Sequence, residues 1–250
     1  MEEWHMTMTS IIIPNYNGLH QLRACVDSIR EYTASPYEII VVDNGSEDGT
    51  TAYCRSEKIT FISLPANAGF PVACNMGLQL ACGDELLLLN NDVIVSREWL
   101  TNLKRALYSA PDVGIVGPIT NYASGRQQVK TYYEDIPAFH KTTETANVPD
   151  PSKWRETHRL VGMCFLFKRE VLDVVGLLDE RFSPGHYEDD DYCFRARLFG
   201  YRLLIAGDAL VHHEGSVSFK QVYNGGWQEL VERNRKLYID KWNTDPAAFI

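Results

Sequence analysis

The sequence predicts an α/β fold: a mostly parallel central sheet covered by helices on both faces, with a small antiparallel part toward the C-terminus. Three observations predict it. Short β-branched or leucine-rich runs alternate with helical apolar spacing through residues 10–117, the rhythm of strand–helix–strand units. Those runs are nearly continuous in apolar residues, as strands buried on both faces are. They end in polar, turn-forming residues, and such sheets bind ligands beyond the carboxyl ends of their strands.

In chain order, Ser10–Pro14 is a first strand closed by proline, followed by Leu19, Leu22, Val26 and Ile29 at helical spacing. Glu38–Asp43 is a second strand, and Gly45-Ser46 opens a turn into a short helix through Thr51. Thr60–Leu64, Glu85–Asn90 and Val113–Gly117 are further strands, with helices over Val72–Ala81 and Arg97–Ser109. From Pro118 to His158 the chain is polar and proline-interrupted, which predicts a long irregular loop of functional or mobile character. A strand over Arg159–Phe167, a helix after Arg169 and a helix over Asp191–Phe199 follow. Two strand-like runs, Arg202–Ala206 and Ala209–His213, precede a terminal helix over Trp227–Trp242.

A formal net charge of −9 over 250 residues argues against a nucleic-acid binder, which shows a basic face. No apolar run approaches the roughly 20 residues that cross a bilayer. Met1–His5 lacks the basic and apolar parts of a secretion signal. Six cysteines without CxxC spacing read as reduced core residues. The expectation is a cytoplasmic protein, with at most peripheral contact at the inner face of a membrane.

Three strand ends are polar: Pro14-Asn15-Tyr16-Asn17-Gly18, Asp43-Asn44-Gly45-Ser46 and Asn90-Asn91-Asp92. In a parallel sheet they share one edge and line a single crevice. Tyr16 offers a ring for stacking a base; Asp43 and Asn44 offer acceptors for a base N–H or ribose hydroxyls. Each alone is an ordinary turn former; three together point to a ligand. No GxGxxG follows the first strand and no GxxxxGK[ST] occurs, so a dinucleotide fold and a P-loop are both unsupported. A diphosphate here calls for a divalent cation, with Asp92, a nucleotide oxygen and a later histidine as ligands. Glu188-Asp189-Asp190-Asp191 lie at a helix start, where the macrodipole favours anions. An acidic cap accounts for them structurally. Clustered charge that raises a carboxylate pKa, making a better base, accounts for them functionally.

The runs SIIIPNYNG (10–18), EIIVVDNGSEDGT (38–50), NAGFPVACNMG (67–77) and LLLLNNDV (86–93) are followed by GMCFLFKREVLDVVGLLDERF (162–182), YEDDDYCFRARLFGYR (187–202) and VHHEGS (211–216). In this order and spacing the chain resembles the family-2 inverting glycosyltransferases of the GT-A fold over essentially its whole length. The resemblance implies one domain over 1–250, with 1–117 as nucleotide-binding half, 118–158 as irregular loop and 159–250 as acceptor and catalytic half. It implies sugar transfer from a UDP- or dTDP-sugar, with inversion, to a glycan, lipid-linked or protein acceptor, assisted by Mn²⁺ or Mg²⁺. Pro14, Tyr16, Asp43 and Asn44 would hold the nucleoside, and Asn67 and Gly69 match the family's NxG turn near the donor. Asn90-Asn91-Asp92 sits where the family has DxD, with Asn91 toward the donor and Asp92 on the metal. His212 matches a histidine that completes the metal shell, His213 facing the other way because strand neighbours alternate. Glu188-Asp189 matches the ED motif, with Glu188 toward the donor, Asp189 as catalytic base and Arg195 as counter-charge for Asp190 and Asp191. Arg233-Asn234 resembles a pair near the diphosphate. Two other readings predict different outcomes: a nucleotide-sugar-binding module without turnover, and a nucleotidyltransferase releasing pyrophosphate. The latter would want a basic glycine-rich loop, and PNYNG has neither Arg nor Lys.

Overall fold

Alternate residues of the central strands pack into two separate apolar layers, and that alternation builds the domain. The computed structural model describes residues 7–215 and 227–249; Met1–His5 and Ser216 lie outside the described residues. Strands β1 (Thr9–Asn15), β2 (Tyr37–Asp43), β3 (Thr60–Ser63) and β4 (Glu85–Leu89) are parallel, in the order β3–β2–β1–β4. The sheet continues with β5 (Val93–Ile94), β6 (Val113–Thr120), β7 (Arg155–Thr157), β8 (Cys164–Lys168) and β9 (Arg202–His213). Beyond β4 the order is β8–β6–β9–β5, with β7 also on β9. Strand β8 is antiparallel to both neighbours, β6 and β9 are parallel, and β5 and β7 are antiparallel to β9.

Ile11, Ile13, Val41, Leu87 and Leu89 face helices α1 (Leu19–Tyr32), through Leu22, Val26 and Ile29, and the later α4, through Trp99 and Leu103. Ile12, Ile40, Val42, Leu86 and Leu88 face the other layer, which includes Cys74, Leu78, Tyr192 and Ala196. Between them in sequence lie α2 (Thr50–Ser56), α3 (Phe70–Leu80) and α4 (Trp99–Leu107). Helices α5 (Ile136–Ala146), α6 (Arg169–Val175), α7 (Glu188–Leu198) and α8 (Trp227–Trp242) complete the fold. The expected α/β architecture with helices on both faces is the one observed. Among the described residues no helix is long and apolar enough to cross a membrane.

Four local expectations are corrected. Residues 118–158 contain the end of β6, an 11-residue helix α5 and strand β7. Pro137 reads as a breaker in sequence but sits in the first turn of α5, where its missing N–H costs nothing; Asp135 caps that turn by accepting from Ala138 N at 2.8 Å. The strand expected from Arg159 starts only at Cys164, because Leu160, Val161 and Gly162 give their N–H groups to side chains. The runs 202–206 and 209–213 form one 12-residue strand with a register shift against β6. Helix α7 begins at Glu188, so the carboxylates lie inside its first turn rather than before it.

At the opposite end of β4, Lys104 Nζ lies 3.4 Å from Glu85 Oε2, both side chains fully buried. Glu85 also accepts from Thr9 Oγ1 at 3.0 Å and Tyr108 Oη at 2.8 Å. Burial lowers the Lys104 pKa against the pull of Glu85. Lys104→Met should destabilise the fold by about 3–5 kcal/mol, because it strands a buried carboxylate. The measurement is a lowered urea midpoint at unchanged slope.

Candidate active site

The carboxyl ends of β1 and β4 and the turn after β2 open into one cavity of about 530 Å³. Pro14, Tyr16, Asn44, Asn67, Asn91 and Asp92 lie on its wall, and so do Glu188, Asp189 and Asp190 from α7. The shared crevice expected from the parallel strands is therefore formed. The residues joining β7 to β8 and the first turn of α7 complete it.

On the β2 side, three predicted residues interlock. Asn44 Nδ2 donates to Asn67 Oδ1 at 2.9 Å and to the Gly69 carbonyl at 3.2 Å, while Asn44 Oδ1 accepts from Ala68 N at 2.9 Å. Gly69 has φ +97°, and a Cβ there would meet Ser183 Oγ at 2.8 Å and Pro184 Cα at 2.9 Å. Only glycine fits both the left-handed backbone and the contact. Gly69 is thus placed by the 183–184 turn rather than on the cavity wall. Asp43 is also off the wall: it is buried, accepting from Ser46 N at 3.1 Å and Ser63 Oγ at 3.0 Å.

Asn15, read in sequence only as part of a turn, links two strand ends. Its Oδ1 accepts from Asn91 Nδ2 at 2.6 Å, and its Nδ2 donates to Thr50 Oγ1 at 2.9 Å. A Cβ on Gly18 would fall 2.3 Å from Asn91 Nδ2. The signal was a buried-type strand ending in an amide beside a glycine, which spacing alone does not distinguish from a turn.

The order of the two histidines is reversed. In the β5–β9 pairing Val93 stands opposite His213 and Ile94 opposite His212. His213, not His212, therefore faces Asp92: Nε2 lies 3.2 Å from Asp92 Oδ1. His212 turns the other way, with Nδ1 2.9 Å from Tyr133 Oη and its ring against Phe139. The alternation of strand side chains holds; the choice of face was wrong.

The Asp92–His213 contact lacks hydrogen-bond geometry, and Asp92 Oδ1, His213 Nε2 and Asn90 Oδ1 are all buried without a hydrogen-bond partner. His213 Nδ1 lies 2.8 Å from the Tyr122 carbonyl, so that nitrogen carries the proton and Nε2 is free to act as ligand or to take a second proton. Burial works against charging His213, but Asp92 outweighs it and the pKa is raised. The pair wants a positive charge. One carboxylate oxygen, one imidazole nitrogen and one amide oxygen fit Mn²⁺ or Mg²⁺ sharing its shell with phosphate oxygens and water. Among the described residues no group of three or more His, Cys, Asp or Glu that could hold a metal ion converges.

The four carboxylates of α7 have four different fates. Asp191 is fully buried and bonded to Arg195 Nε at 2.8 Å, Lys241 Nζ at 2.5 Å and Trp242 Nε1 at 2.8 Å. Asp190 pairs with Arg159 Nε at 2.6 Å; Arg195, expected to serve both, serves Asp191. Burial first, and Asp189 second, push the Asp190 carboxyl up to about 7 against the pull of Arg159. Burial likewise holds Glu188 well above the usual carboxylate range, and Asp189 adds to it. Asp189 is half-buried on the cavity wall. Its Oδ2 accepts from Gly162 N at 2.9 Å and its Oδ1 from Asp190 N at 2.9 Å.

The turn entering α7 is strained. His186 and Tyr187 have φ of +75° and +70°, a region that costs non-glycine residues of order 1 kcal/mol each. Asn234, fully buried on α8, holds that turn by donating to the carbonyls of Phe182, Gly185 and His186 at 2.7, 2.8 and 3.1 Å. Arg233 is not on the cavity wall; it donates to Asn234 Oδ1 at 3.0 Å and to the Ser183 carbonyl. In the Arg233-Asn234 pair, the amide is the residue that shapes the site.

The chain belongs to glycosyl transferase family 2, whose model matches residues 10–176. It is 31% identical over 228 residues to the uncharacterized protein y4gI of Sinorhizobium fredii, covering 84% of this chain and 25% of that protein. It is 31% identical over 215 residues to the glycosyltransferase AglE of Haloferax volcanii, covering 83% of this chain and 67% of that one. Among solved structures it is similar to the mannosyltransferase PcManGT of Pyrobaculum calidifontis in complex with GDP-Man and Mn²⁺. That likeness has a TM-score of 0.64 at 22% identity, over 86% of this chain and 60% of the mannosyltransferase. It shows the GT-A fold. The chain thus spans from a quarter to two thirds of the length of these relatives.

Asn234→Ala should loosen the turn before Glu188, lowering stability by about 1–3 kcal/mol through the stranded carbonyls. Turnover should fall further than nucleotide affinity, since the turn leads into Asp189 rather than into the strand ends. Unfolding curves together with nucleotide titration check this; equal loss of both would contradict it.

Proposed function

We propose that this chain transfers a glycosyl group from a nucleoside-diphosphate sugar to a hydroxyl group of a glycan, lipid-linked or protein acceptor, inverting the anomeric carbon. The observation that carries the reading is one cavity with a cation-seeking Asp92–His213 pair on one element and a half-buried carboxylate, Asp189, on another. Tyr16 stacks on the base while Asn44 and Asn67, already locked to each other, fix the nucleoside edge. The acceptor hydroxyl gives its proton to Asp189 as its oxygen bonds to the anomeric carbon and the bond to the diphosphate breaks. Asp92, His213 and the Asn90 amide would hold Mn²⁺ or Mg²⁺, which when bound neutralises the leaving diphosphate. The only Lys or Arg among the described cavity residues is Arg159, and Asp190 occupies it, which favours a bound cation for that task. The Mn²⁺ and GDP-Man of the mannosyltransferase neighbour support the same division of labour. Uridine or thymidine is the expected nucleoside. The cytoplasm is the proposed location, in keeping with six free thiols.

His213→Ala should abolish the Mn²⁺-dependent gain in nucleoside-diphosphate affinity, while His212→Ala leaves it within about twofold. Calorimetric titration of UDP, dTDP and GDP with and without Mn²⁺ decides it; the opposite pattern would return the metal to His212.

Asp189→Asn keeps the Gly162 bond through its amide oxygen but removes basicity. It should bind donor normally and turn over roughly 10²–10⁴-fold more slowly. Asp191→Asn should instead lose about 3 kcal/mol of stability, because it breaks a buried charge network. Release of nucleoside diphosphate at saturating substrates is the assay. An active Asp189→Asn alongside a folded but inactive Asp191→Asn would move the base from Asp189 to Asp191.

A further inference from the structure

Residues 159–162 form a strap that grips the first two turns of α7 at three points. Arg159 Nε donates to Asp190 Oδ1 at 2.6 Å, Leu160 N reaches Cys193 Sγ at 3.3 Å, and Gly162 N donates to Asp189 Oδ2 at 2.9 Å. The strap is itself anchored from behind. Val161 N donates to Gln127 Oε1 at 2.7 Å, and Gln127 Nε2 donates to the Pro118 carbonyl at 2.9 Å. A second guanidinium nitrogen of Arg159 donates to Ser124 Oγ at 2.9 Å. A Cβ on Gly162 would stand 3.3 Å from Asp189 Cβ, so the approach depends on glycine there.

The groups acting on Asp189 and Asp190 come from every element packed on this turn. Glu188 and Cys193 lie on α7, His186 and Tyr187 on the turn before it, Tyr238 on α8, and Arg159 on the strap. Arg159 alone among them is a permanent cation. It is also the member of the strap whose removal leaves the two backbone bonds in place.

We propose that Arg159 is a positioning residue for the Asp189 base: bound to Asp190, its guanidinium fixes the first turn of α7 against the strap and keeps the negative charge on Asp189. The proposal rests on Asp189 being the base. Removing the cation leaves Asp189 beside Asp190 and Glu188 with no counter-charge, so protons bind the cluster more tightly. Removing Asp190 instead leaves Asp189 beside an unshared guanidinium, and protons bind it less tightly. A merely structural Arg159 predicts lower activity in both variants with no opposed movement of the pH profile.

The test is the pH dependence of kcat at saturating donor and acceptor for Arg159→Met, Arg159→Lys and Asp190→Asn. In Arg159→Met the acidic limb should move up by about one pH unit, with kcat near pH 7 reduced roughly 10-fold or more. Arg159→Lys should return the limb to its original position, and Asp190→Asn should move it down. Nucleoside-diphosphate affinity should stay within about twofold in all three. An unmoved limb in Arg159→Met, or a nucleotide affinity that falls with kcat, would overturn the proposal, the latter placing Arg159 on the donor. Should Arg159→Met fail to fold, Asp190→Asn decides: a limb moved down supports it, and a limb that stays put overturns it. Asp189→Asn in the same assay separates the two levels. Normal turnover there removes the base assignment, whereas an inactive Asp189→Asn with an unmoved Arg159→Met limb removes only the role of Arg159.

Discussion

The site depends on keeping four consecutive carboxylates in the first turn of a partly buried helix. Like charges so close repel, and burial makes each costlier. The fold resolves this residue by residue. Asp191 is neutralised by Arg195 and Lys241, Asp190 by Arg159, and Glu188 by burial that favours its proton. Asp189 has no ion pair among the described residues, accepts from Gly162 N, and lies half-buried on the cavity wall. The macrodipole of α7 adds stabilisation where the charge is densest. A run that looks wasteful in sequence thus has each of its four carboxylates held differently, and the proposed mechanism uses one of them.

The sheet determines where that anion meets a donor. Parallel strands β1, β2 and β4 deliver their polar ends to one edge, and β5 pairing with β9 brings His213 to Asp92 at the same edge. Antiparallel β8, wedged between β4 and β6, then sends the strap and α7 back over the crevice. The polar strand ends and the α7 carboxylates therefore come from different stretches of chain. Contacts between these stretches include the Phe70 N bond to the Pro184 carbonyl at 2.9 Å.

Where a residue's neighbours are set by local periodicity, the sequence was legible. Most strands, the helices of both faces and the crevice follow from runs such as EIIVVDN, whereas Asp189 was placed at the site through the family resemblance of the run YEDDDY. What failed depended on register or on distant partners. Alternation showed that one histidine of His212-His213 faces Asp92, but only the pairing of Val93 with His213 says which. Residues 159–163 have strand composition, yet their donors find Gln127, Cys193 and Asp189, far away in sequence. Pro137 hid α5 because a proline inside a helix and one in its first turn look alike without the Asp135 cap. The Arg233-Asn234 pair drew attention to its charge, while the buried amide does the holding.

The acidity of the chain also misdirects intuition about the cavity. A diphosphate donor brings at least two negative charges into a space whose wall shows Asp92, Glu188, Asp189 and Asp190. Taken as four anions, the wall would repel it. Burial raises the Glu188 pKa well above the usual carboxylate range and Asp190 is shared with Arg159, which leaves Asp92 and Asp189 as the two to account for. One belongs to the Asp92–His213 pair, which draws in positive charge as a proton or a cation. Asn90, neutral where a carboxylate would add a third, lowers the total again while still presenting an oxygen. The other is Asp189, which under the proposed mechanism faces the acceptor as the base. The substitution of amide for acid at 90 and the ion pair at 190 thus serve the same end: both remove charge from the path of the donor without removing ligands from the site.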